Sequence, residues 1–520
     1  MQLSEFQNEP LSDFQSGSPQ FQQMQEALRR VEAQGLQKYP LVINGERIKT
    51  DETFASLNPA RPNQVIGNVS KANGKLATRA LDAAVKAFAA WSKAPVDQRV
   101  DVLVKTAGIL RSRKHEFEAW LVLEAGKPWA EADAEVAEAI DFCEFYAREM
   151  LRLAGAQSLH PLAGEKNYLE YLPLGAGVVI PPWNFPLAIL TGMAAASIVT
   201  GNTVVLKPSS DTPVIAYKLF EALEEAGAPR GVANFLPGPG AEVGDALVSH
   251  PKTRFVAFTG SKEVGLHINE LAAKTVRGQI WIKRVIVEMG GKNSIVVDEG
   301  SDLDAAVEGV AVSAYGYQGQ KCSACSRAIV ARPVYEQFLS RLTERVKAIQ
   351  VGDPSDSGNI MGPVINERAQ KTILAYIDTG KQEGRLVAGG QAGASAGYFI
   401  KPTIIADVSP GARIAQEEIF GPVLAVIEAP DFNAALAIAN NTEYGLTGAV
   451  YSRDRAKLDR AAREFHAGNL YFNRKCTGAM VGVHPFGGFN MSGTDSKAGG
   501  KDYLLLFTQA KVVSERAGQV

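Results

Sequence analysis

Arg254-Phe255-Val256-Ala257-Phe258-Thr259-Gly260-Ser261-Lys262-Glu263-Val264-Gly265 is the stretch that decides the fold class. Its first half is a short apolar run with strand character, and its second half opens a helical pattern that continues to Ala272. A strand that turns directly into a helix is half of a βαβ unit, and such units build mostly parallel sheets covered by helices on both faces. Backbone N–H groups at the start of such a helix attract phosphate. Gly260 lets the backbone approach a ligand closely, and Ser261 adds a hydroxyl donor.

Working outward, the pattern repeats. Upstream, residues 177–180 and Thr203-Val204-Val205-Leu206 read as strands, the second ending at Lys207-Pro208. Asp211-Thr212-Pro213 starts a helix over 214–226, with proline at its first helical position. Residues 234–236, also upstream, and 284–287 and 293–297 downstream read as further strands. Ligands of such sheets sit beyond the carboxyl ends of the strands, which brings Lys207 within reach of a ribose hydroxyl. Gly238-Pro239-Gly240 has the look of a phosphate-binding turn, but Gly244 falls one residue late for GxGxxG, and alone it reads as a plain turn. Taken together in one sheet, these turns favour a dinucleotide.

A second strand–helix series starts near Glu288. It comprises strands at 328–330, 403–405, 423–427, 445–451 and 469–473, with helices over 334–349, 366–384 and 453–466. The first third is helix-rich, with helices over 19–33, 77–92, 96–123 and 131–153. Ser18 is placed to cap the first of these and Pro19 to open it. Asn44-Gly45 forms the turn of a hairpin over 40–46, and 168–172 alternates like a strand. The expectation is an α/β chain of two Rossmann-like open parallel-sheet domains with a cleft between them.

Composition narrows the function classes. The 520 residues are 46% apolar and 21% charged, with a net charge of −2, so no electrostatic case exists for nucleic acid or an anionic membrane as partner. Four cysteines in this length speak against a disulfide framework and for a reducing compartment. Residues 1–21 are polar, without the apolar core of a signal peptide or the arginines of a transit peptide, so a cytoplasmic location is expected. Residues 178–200 carry no charge, yet Pro181, Pro182 and Pro186 break any helix there, leaving a strand, a loop and a buried helix rather than a membrane span.

The chemistry centres on Tyr317-Gln318-Gly319-Gln320-Lys321-Cys322-Ser323-Ala324-Cys325-Ser326-Arg327, a loop between a helix over 302–315 and the strand 328–330. Its cysteines have four readings: small buried side chains, a redox CxxC, a zinc knuckle, or a catalytic nucleophile. No second CxxC or CxxH exists in the chain, so no metal site is expected. Lys321 and Arg327 flank the pair and would favour a thiolate, the nucleophilic form. Asn184, held between aromatics and prolines in Pro182-Trp183-Asn184-Phe185-Pro186, offers a side-chain N–H to an oxyanion or serves as a turn residue. Glu288, after an apolar strand, is a partly desolvated general base or a capping carboxylate. A cysteine hydrolase would need a histidine base, and His115, His160, His250, His267, His466 and His484 all lie outside these motifs.

Five motifs in order carry a resemblance: Pro182-Trp183-Asn184-Phe185-Pro186, Phe258-Thr259-Gly260-Ser261, Glu288-Met289-Gly290-Gly291-Lys292, Gly319-Gln320-Lys321-Cys322 and Glu417-Glu418-Ile419-Phe420-Gly421-Pro422-Val423. From about Tyr39 onward the chain resembles the NAD(P)-dependent aldehyde dehydrogenase superfamily. The resemblance implies Cys322 as nucleophile, Glu288 as general base and Asn184 as oxyanion donor. It implies a cofactor, NAD, held by Lys207, Gly260, Ser261, Trp183, Glu418 and Phe420. Many members carry a glutamate where this chain has Ser210, which leaves NADP open as well.

Gly468-Asn469-Leu470-Tyr471-Phe472-Asn473-Arg474-Lys475, Gly478-Ala479 and Gly482-Val483-His484-Pro485-Phe486-Gly487-Gly488-Phe489 narrow the resemblance to the 1-pyrroline-5-carboxylate dehydrogenase group of monofunctional bacterial enzymes. That implies L-glutamate γ-semialdehyde as substrate, with Ser323, Gly478 and Ala479 anchoring its amino-acid end, Phe185 and Phe486 lining its aliphatic chain, and Glu138 assisting. A different semialdehyde or an aliphatic aldehyde is the alternative. The implied division is a helical extension (1–38), a cofactor domain (39–154 and 175–287), a catalytic domain (288–471), a return segment lining the pocket (472–497), and a small β flap (155–174 and 498–520) that builds a homo-oligomer. Cys325 adds a separate expectation, that oxidation pairs it reversibly with Cys322.

Overall fold

The computed structural model describes residues 3–155, 157, 159–393 and 396–516. The expected flap therefore includes positions, 156, 158 and 517–520, that lie outside the described residues.

Strand periodicity sorts the apolar residues onto two faces, as a period of two requires. Val179, Val204, Leu206, Phe255 and Ala257 join one buried cluster, while Val178, Val205, Val256 and Phe258 join another. Both faces of this first sheet are therefore covered by helices. Its strands run, edge to edge, Arg284–Glu288, Phe255–Thr259, Ala176–Ile180, Thr203–Leu206, Ala233–Phe235, Leu41–Ile43 and Glu46–Ile48. The first five are mutually parallel. From Ala176–Ile180 the chain moves outward on one side and then returns to the other flank with Phe255–Thr259. This reversal opens a crevice at the carboxyl ends of those two strands, the usual seat of a ligand. Asn44 and Gly45, at φ 52° and 77°, make the hairpin turn, and the hairpin docks antiparallel to Ala233–Phe235. That docking had no sequence signal.

The second sheet runs Arg385–Ala388, Thr403–Ala406, Val423–Ala429, Cys325–Ala331, Asn293–Val297, Thr447–Tyr451 and Asn469–Phe472. All neighbours are parallel except the antiparallel edge strand Arg385–Ala388. A three-stranded sheet of Gln37–Tyr39, Arg61–Ser70 and Thr53–Asn58 was not foreseen. Glu165–Pro173 and Thr508–Arg516 pair as a long antiparallel ribbon.

Two local expectations need correction. The stretch 96–123 is not one helix but Val96–Ser112 and Lys114–Ala125, broken at Arg113, whose φ of −115° is not helical. Arg113 turns out to pair with Glu225, and the second helix buries Phe117, Trp120 and Leu121. Cys325 belongs to no loop: it opens the strand Cys325–Ala331 and is buried in the core of the second sheet. The uncharged segment after Leu174 resolves as expected into the strand Ala176–Ile180, a proline-rich loop and the helix Ala188–Val199. Among the described residues no helix is long and apolar enough to cross a membrane.

Candidate active site

The site forms where the carboxyl edge of the first sheet meets the amino edge of the second. Asn184, Lys207, Gly260 and Glu288 follow or end strands of the first sheet, whereas Cys322 and Glu418 precede strands of the second. The candidate residues of the first sheet thus lie at the carboxyl ends of its strands, and the second sheet presents its candidates from the opposite edge.

The helix Leu303–Tyr315 delivers the chain to Cys322 through a strained turn. Tyr317 and Gln318 adopt positive φ, 49° and 57°, a conformation costing of order 1–3 kcal/mol per residue. Buried side chains hold it in place. Tyr317 Oη donates to Ala125 O at 2.9 Å, and Gln318 Nε2 donates to Gly126 O at 3.0 Å and Pro363 O at 2.8 Å. Gln320 Oε1 accepts from the Ile365 N–H at 2.9 Å. Past the turn, Asn293 Nδ2 donates to Cys322 O at 2.7 Å and to Ala324 O at 2.9 Å. Gly290 and Gly291 are required by close approach: a Cβ at Gly290 would lie 2.1 Å from Glu418 Oε2, and one at Gly291 would lie 2.5 Å from Cys322 O.

The thiolate expectation fails. Burial, followed by the nearby carboxyls of Glu418 and Glu288, pushes the Cys322 thiol up to about 12. Lys321 does not offset this, because its Nζ pairs with Glu131 at 2.7 Å. Arg327 is buried on the carbonyls of Lys292, Ile438 and Ala439. The direction of this shift favours the protonated thiol. Nor is Cys325 poised against Cys322. Its thiol donates to Arg327 O at 3.4 Å, and the thiol it interacts with electrostatically is Cys476; all four cysteines are free.

Glu288 is gripped by a distant loop. Ser496 Oγ and N–H donate to Oε1 at 2.7 and 3.1 Å, and the Gly488 N–H donates to Oε2 at 3.0 Å. Burial outweighs these bonds and raises the carboxyl to about 7, the value of a base poised for neutral pH. Ser496 has no sequence signal, and Gly488, though part of the 482–489 motif, is some two hundred positions away with nothing tying it to Glu288. Ser496→Ala is expected to shift the acid limb of the pH–rate profile upward by about one pH unit and cut turnover at pH 7 about fivefold, the worth of roughly 1.5 kcal/mol for a hydrogen bond to a charged group. Steady-state rates from pH 5 to 9 check this.

Asn184 is buried and donates one Nδ2–H to Gln320 O at 2.9 Å, which ties the proline-rich loop to the cysteine segment and leaves the second N–H of the amide. Beside it, the Trp183 and Phe420 rings meet edge-on, with centroids 5.4 Å apart. Phe185 lies against Lys127, whose Nζ sits 3.8 Å from the Phe185 ring centroid, 3.9 Å from that of Tyr317, and 2.9 Å from Glu135. Glu135 Oε1 in turn accepts from the Leu187 N–H at 2.8 Å. This fully buried pair was not read from the sequence. Glu131, Glu135 and Glu138 share one face of the helix Trp129–Ala154. Burial, then the neighbouring Glu135, raises Glu138 to about 8. Cys476 Sγ donates to Ser323 O at 3.4 Å, bringing the segment of Gly478 and Ala479 to the residue after Cys322. Phe486 is half-buried, its N–H donating to Ala498 O at 2.8 Å.

The residues expected to hold a dinucleotide fit one. Lys207 is buried with only a 3.3 Å bond to Pro208 O, and burial lowers its ammonium to about 8, so it has capacity for a ligand hydroxyl. Ser261 Oγ accepts from the Val264 N–H at 3.4 Å as N-cap of the helix Lys262–Ala273, so its own hydrogen stays available. The Gly260 N–H donates to Glu288 O at 3.0 Å. Ser210 is exposed beyond the strand that ends at Leu206. Glu418 Oε1 accepts from the Gly291 N–H at 2.9 Å, and burial raises it to about 7. Gly240–Gly244 forms a wide π-type turn leading into a short helix rather than a glycine-rich phosphate loop.

The model of the aldehyde dehydrogenase family matches residues 47–513. A 1-pyrroline-5-carboxylate dehydrogenase of Geobacillus sp. (strain WCH70) is 59% identical over 98% of this chain and 99% of its own length. The crystal structure of 1-pyrroline-5-carboxylate dehydrogenase from Thermus with bound NAD superposes with a TM-score of 0.97 at 53% identity, covering 99% of this chain and 100% of that one. Betaine aldehyde dehydrogenase from Staphylococcus aureus in complex with NAD+ is more distant, with a TM-score of 0.89 at 30% identity over 96% of this chain and 98% of that one.

Proposed function

Because the chain belongs to the aldehyde dehydrogenase family, we propose that it oxidises L-glutamate γ-semialdehyde, the open form of 1-pyrroline-5-carboxylate, to L-glutamate with NAD, a step of proline breakdown. The observation that carries this reading is the full-length likeness to relatives of that name, together with a free cysteine and a carboxyl of raised pKa at one site.

In this reading the Cys322 thiol loses its proton to solvent and the thiolate attacks the aldehyde carbon, forming a carbon–sulfur bond and a tetrahedral oxyanion. The remaining N–H of Asn184 and the backbone N–H of Cys322 stabilise that oxyanion, an effect worth about 3–4 kcal/mol per donor in comparable sites. NAD, when bound, supplies the hydride acceptor that converts the adduct into a thioester on Cys322. Glu288, as its carboxylate, then takes a proton from water, the hydroxide adds to the thioester, and the carbon–sulfur bond breaks to release the carboxylic acid. Lys207, Gly260 and Ser261 hold the adenosine and pyrophosphate end of the cofactor. Glu418 takes the nicotinamide ribose, with Trp183 and Phe420 beside it. Ser210 carries no charge to repel an added phosphate, so NADP is a second candidate cofactor. Phe185 and Phe486 line the aliphatic chain of the substrate, Ser323 with Gly478 and Ala479 anchors its carboxylate, and Glu138 completes the polar end.

The ribbon of Glu165–Pro173 and Thr508–Arg516, with Tyr168 and Val512 exposed, is the surface on which we place a homo-oligomer, and the cytoplasm is the compartment that suits its free thiols.

The test is NAD reduction with L-glutamate γ-semialdehyde beside succinate semialdehyde and pentanal. The expected kcat/KM for the glutamate semialdehyde exceeds pentanal by roughly 100-fold or more, since a site built for a charged end rejects analogues that leave its donors unpaired. Equal or reversed preference would keep the family and discard this substrate.

A further inference from the structure

We infer that Arg474 is a positioning residue for the substrate's carboxylate: it fixes the peptides whose N–H groups, on Gly478 and Ala479, face that group. The inference rests on the substrate reading above and adds a residue to it.

The geometry is direct. Arg474 Nη2 donates to Thr477 O at 3.0 Å and to Gly478 O at 3.2 Å. In a trans peptide the carbonyl and the following N–H point in opposite directions. No peptide bond in the described chain is cis. Holding Thr477 O therefore turns the Gly478 N–H away from the guanidinium, and holding Gly478 O does the same for the Ala479 N–H. Both donors emerge on the side opposite Arg474. Gly478 has φ +74°, the left-handed conformation that lets successive N–H groups form an anion-binding concavity. Among the described residues neither N–H donates to another protein group, whereas the next one, on Met480, is taken by His484 Nδ1 at 3.2 Å. Drawing both carbonyls onto one cation also polarises their peptides and strengthens the opposed donors.

Arg474 is itself immobilised. Its guanidinium lies 4.3 Å from the Tyr471 ring centroid, and Nη1 stands 3.2 Å from His484 Nε2. The loop is tied at its start as well. The Cys476 N–H donates to Ser313 Oγ at 3.2 Å, and Cys476 Sγ reaches Ser323 O. The distance from the two free N–H groups to the segment bearing Cys322 is thereby set, and that distance selects an aldehyde of fixed length with an anionic far end. A lysine presents a point donor in place of the planar fork and is not suited to two carbonyls at once.

The experiment compares wild type, Arg474→Met and Arg474→Lys with L-glutamate γ-semialdehyde and with pentanal, together with the thermal shift induced by L-glutamate. In Arg474→Met the KM for the glutamate semialdehyde is expected to rise roughly 30-fold or more, with kcat changed less than about threefold. The preference over pentanal should fall about as far, and the L-glutamate shift should vanish, as losing two hydrogen bonds to a charged group implies. Arg474→Lys should fall between. If wild type does not prefer the glutamate semialdehyde, the substrate reading fails first. If wild type prefers it and Arg474→Met keeps both that preference and the L-glutamate shift, or loses activity equally toward both aldehydes, the role of Arg474 is overturned alone. Should Arg474→Met not fold, Arg474→Lys is judged by the same ratio.

Discussion

Cys322→Ala is expected to lower NAD-linked aldehyde oxidation by roughly 10⁴-fold or more, leaving the fold intact. The side chain is small, so its removal opens little cavity. No other thiol can substitute. Cys143, Cys325 and Cys476 are buried, and burial drives the thiols of Cys143 and Cys325 well above the ordinary range. Cys322→Ser should be nearly as inactive, because a hydroxyl holds its proton far more tightly than a thiol already raised to about 12. Initial rates of NADH formation on purified variants of matched thermal stability check both.

Glu288→Gln is expected to cost roughly 10³-fold in kcat, within the range for removing a general base, while leaving hydride transfer far faster than release of product. The variant should thus give a burst of NADH followed by near-silence. The pH dependence follows from the raised pKa. The base is active when ionised, so wild-type turnover should fall tenfold per pH unit below about 7 and level off above it. In Glu288→Gln that limb should disappear. The same shift acts on stability with the opposite sense. A carboxyl raised from 4.5 to about 7 in the folded state favours folding most below pH 4.5, and this contribution is lost as pH rises through 7. The base is therefore most active where its burial stabilises the fold least, as groups tuned for function commonly are.

The sheets were legible because their strands are short apolar runs bounded by glycine, proline and cap residues. Phe255–Thr259 turning into Lys262–Ala273 is the plainest instance. The site residues at strand ends were legible for the same reason: Asn184, Glu288 and Cys322 stand next to rigid elements in short motifs. What escaped was set by contacts between distant segments. Nothing near Glu288 announces Ser496, nothing near Phe185 announces the buried Lys127–Glu135 pair, and nothing near Lys321 says that Glu131 takes up its charge. Charges next in sequence to Cys322 point elsewhere, and its thiol is raised by burial and then by the carboxyls of Glu418 and Glu288, which come from distant segments. The break at Arg113 lacks a proline or glycine and reflects packing rather than local propensity.

The most direct measurement is the mass of Glu288→Gln after reaction with NAD and L-glutamate γ-semialdehyde, followed by peptide mapping. The expected result is one glutamyl group per chain, carried as a thioester on the peptide containing Cys322 and absent when NAD is omitted. NADH formation without any acylated Cys322, or acylation at another residue, would contradict the account.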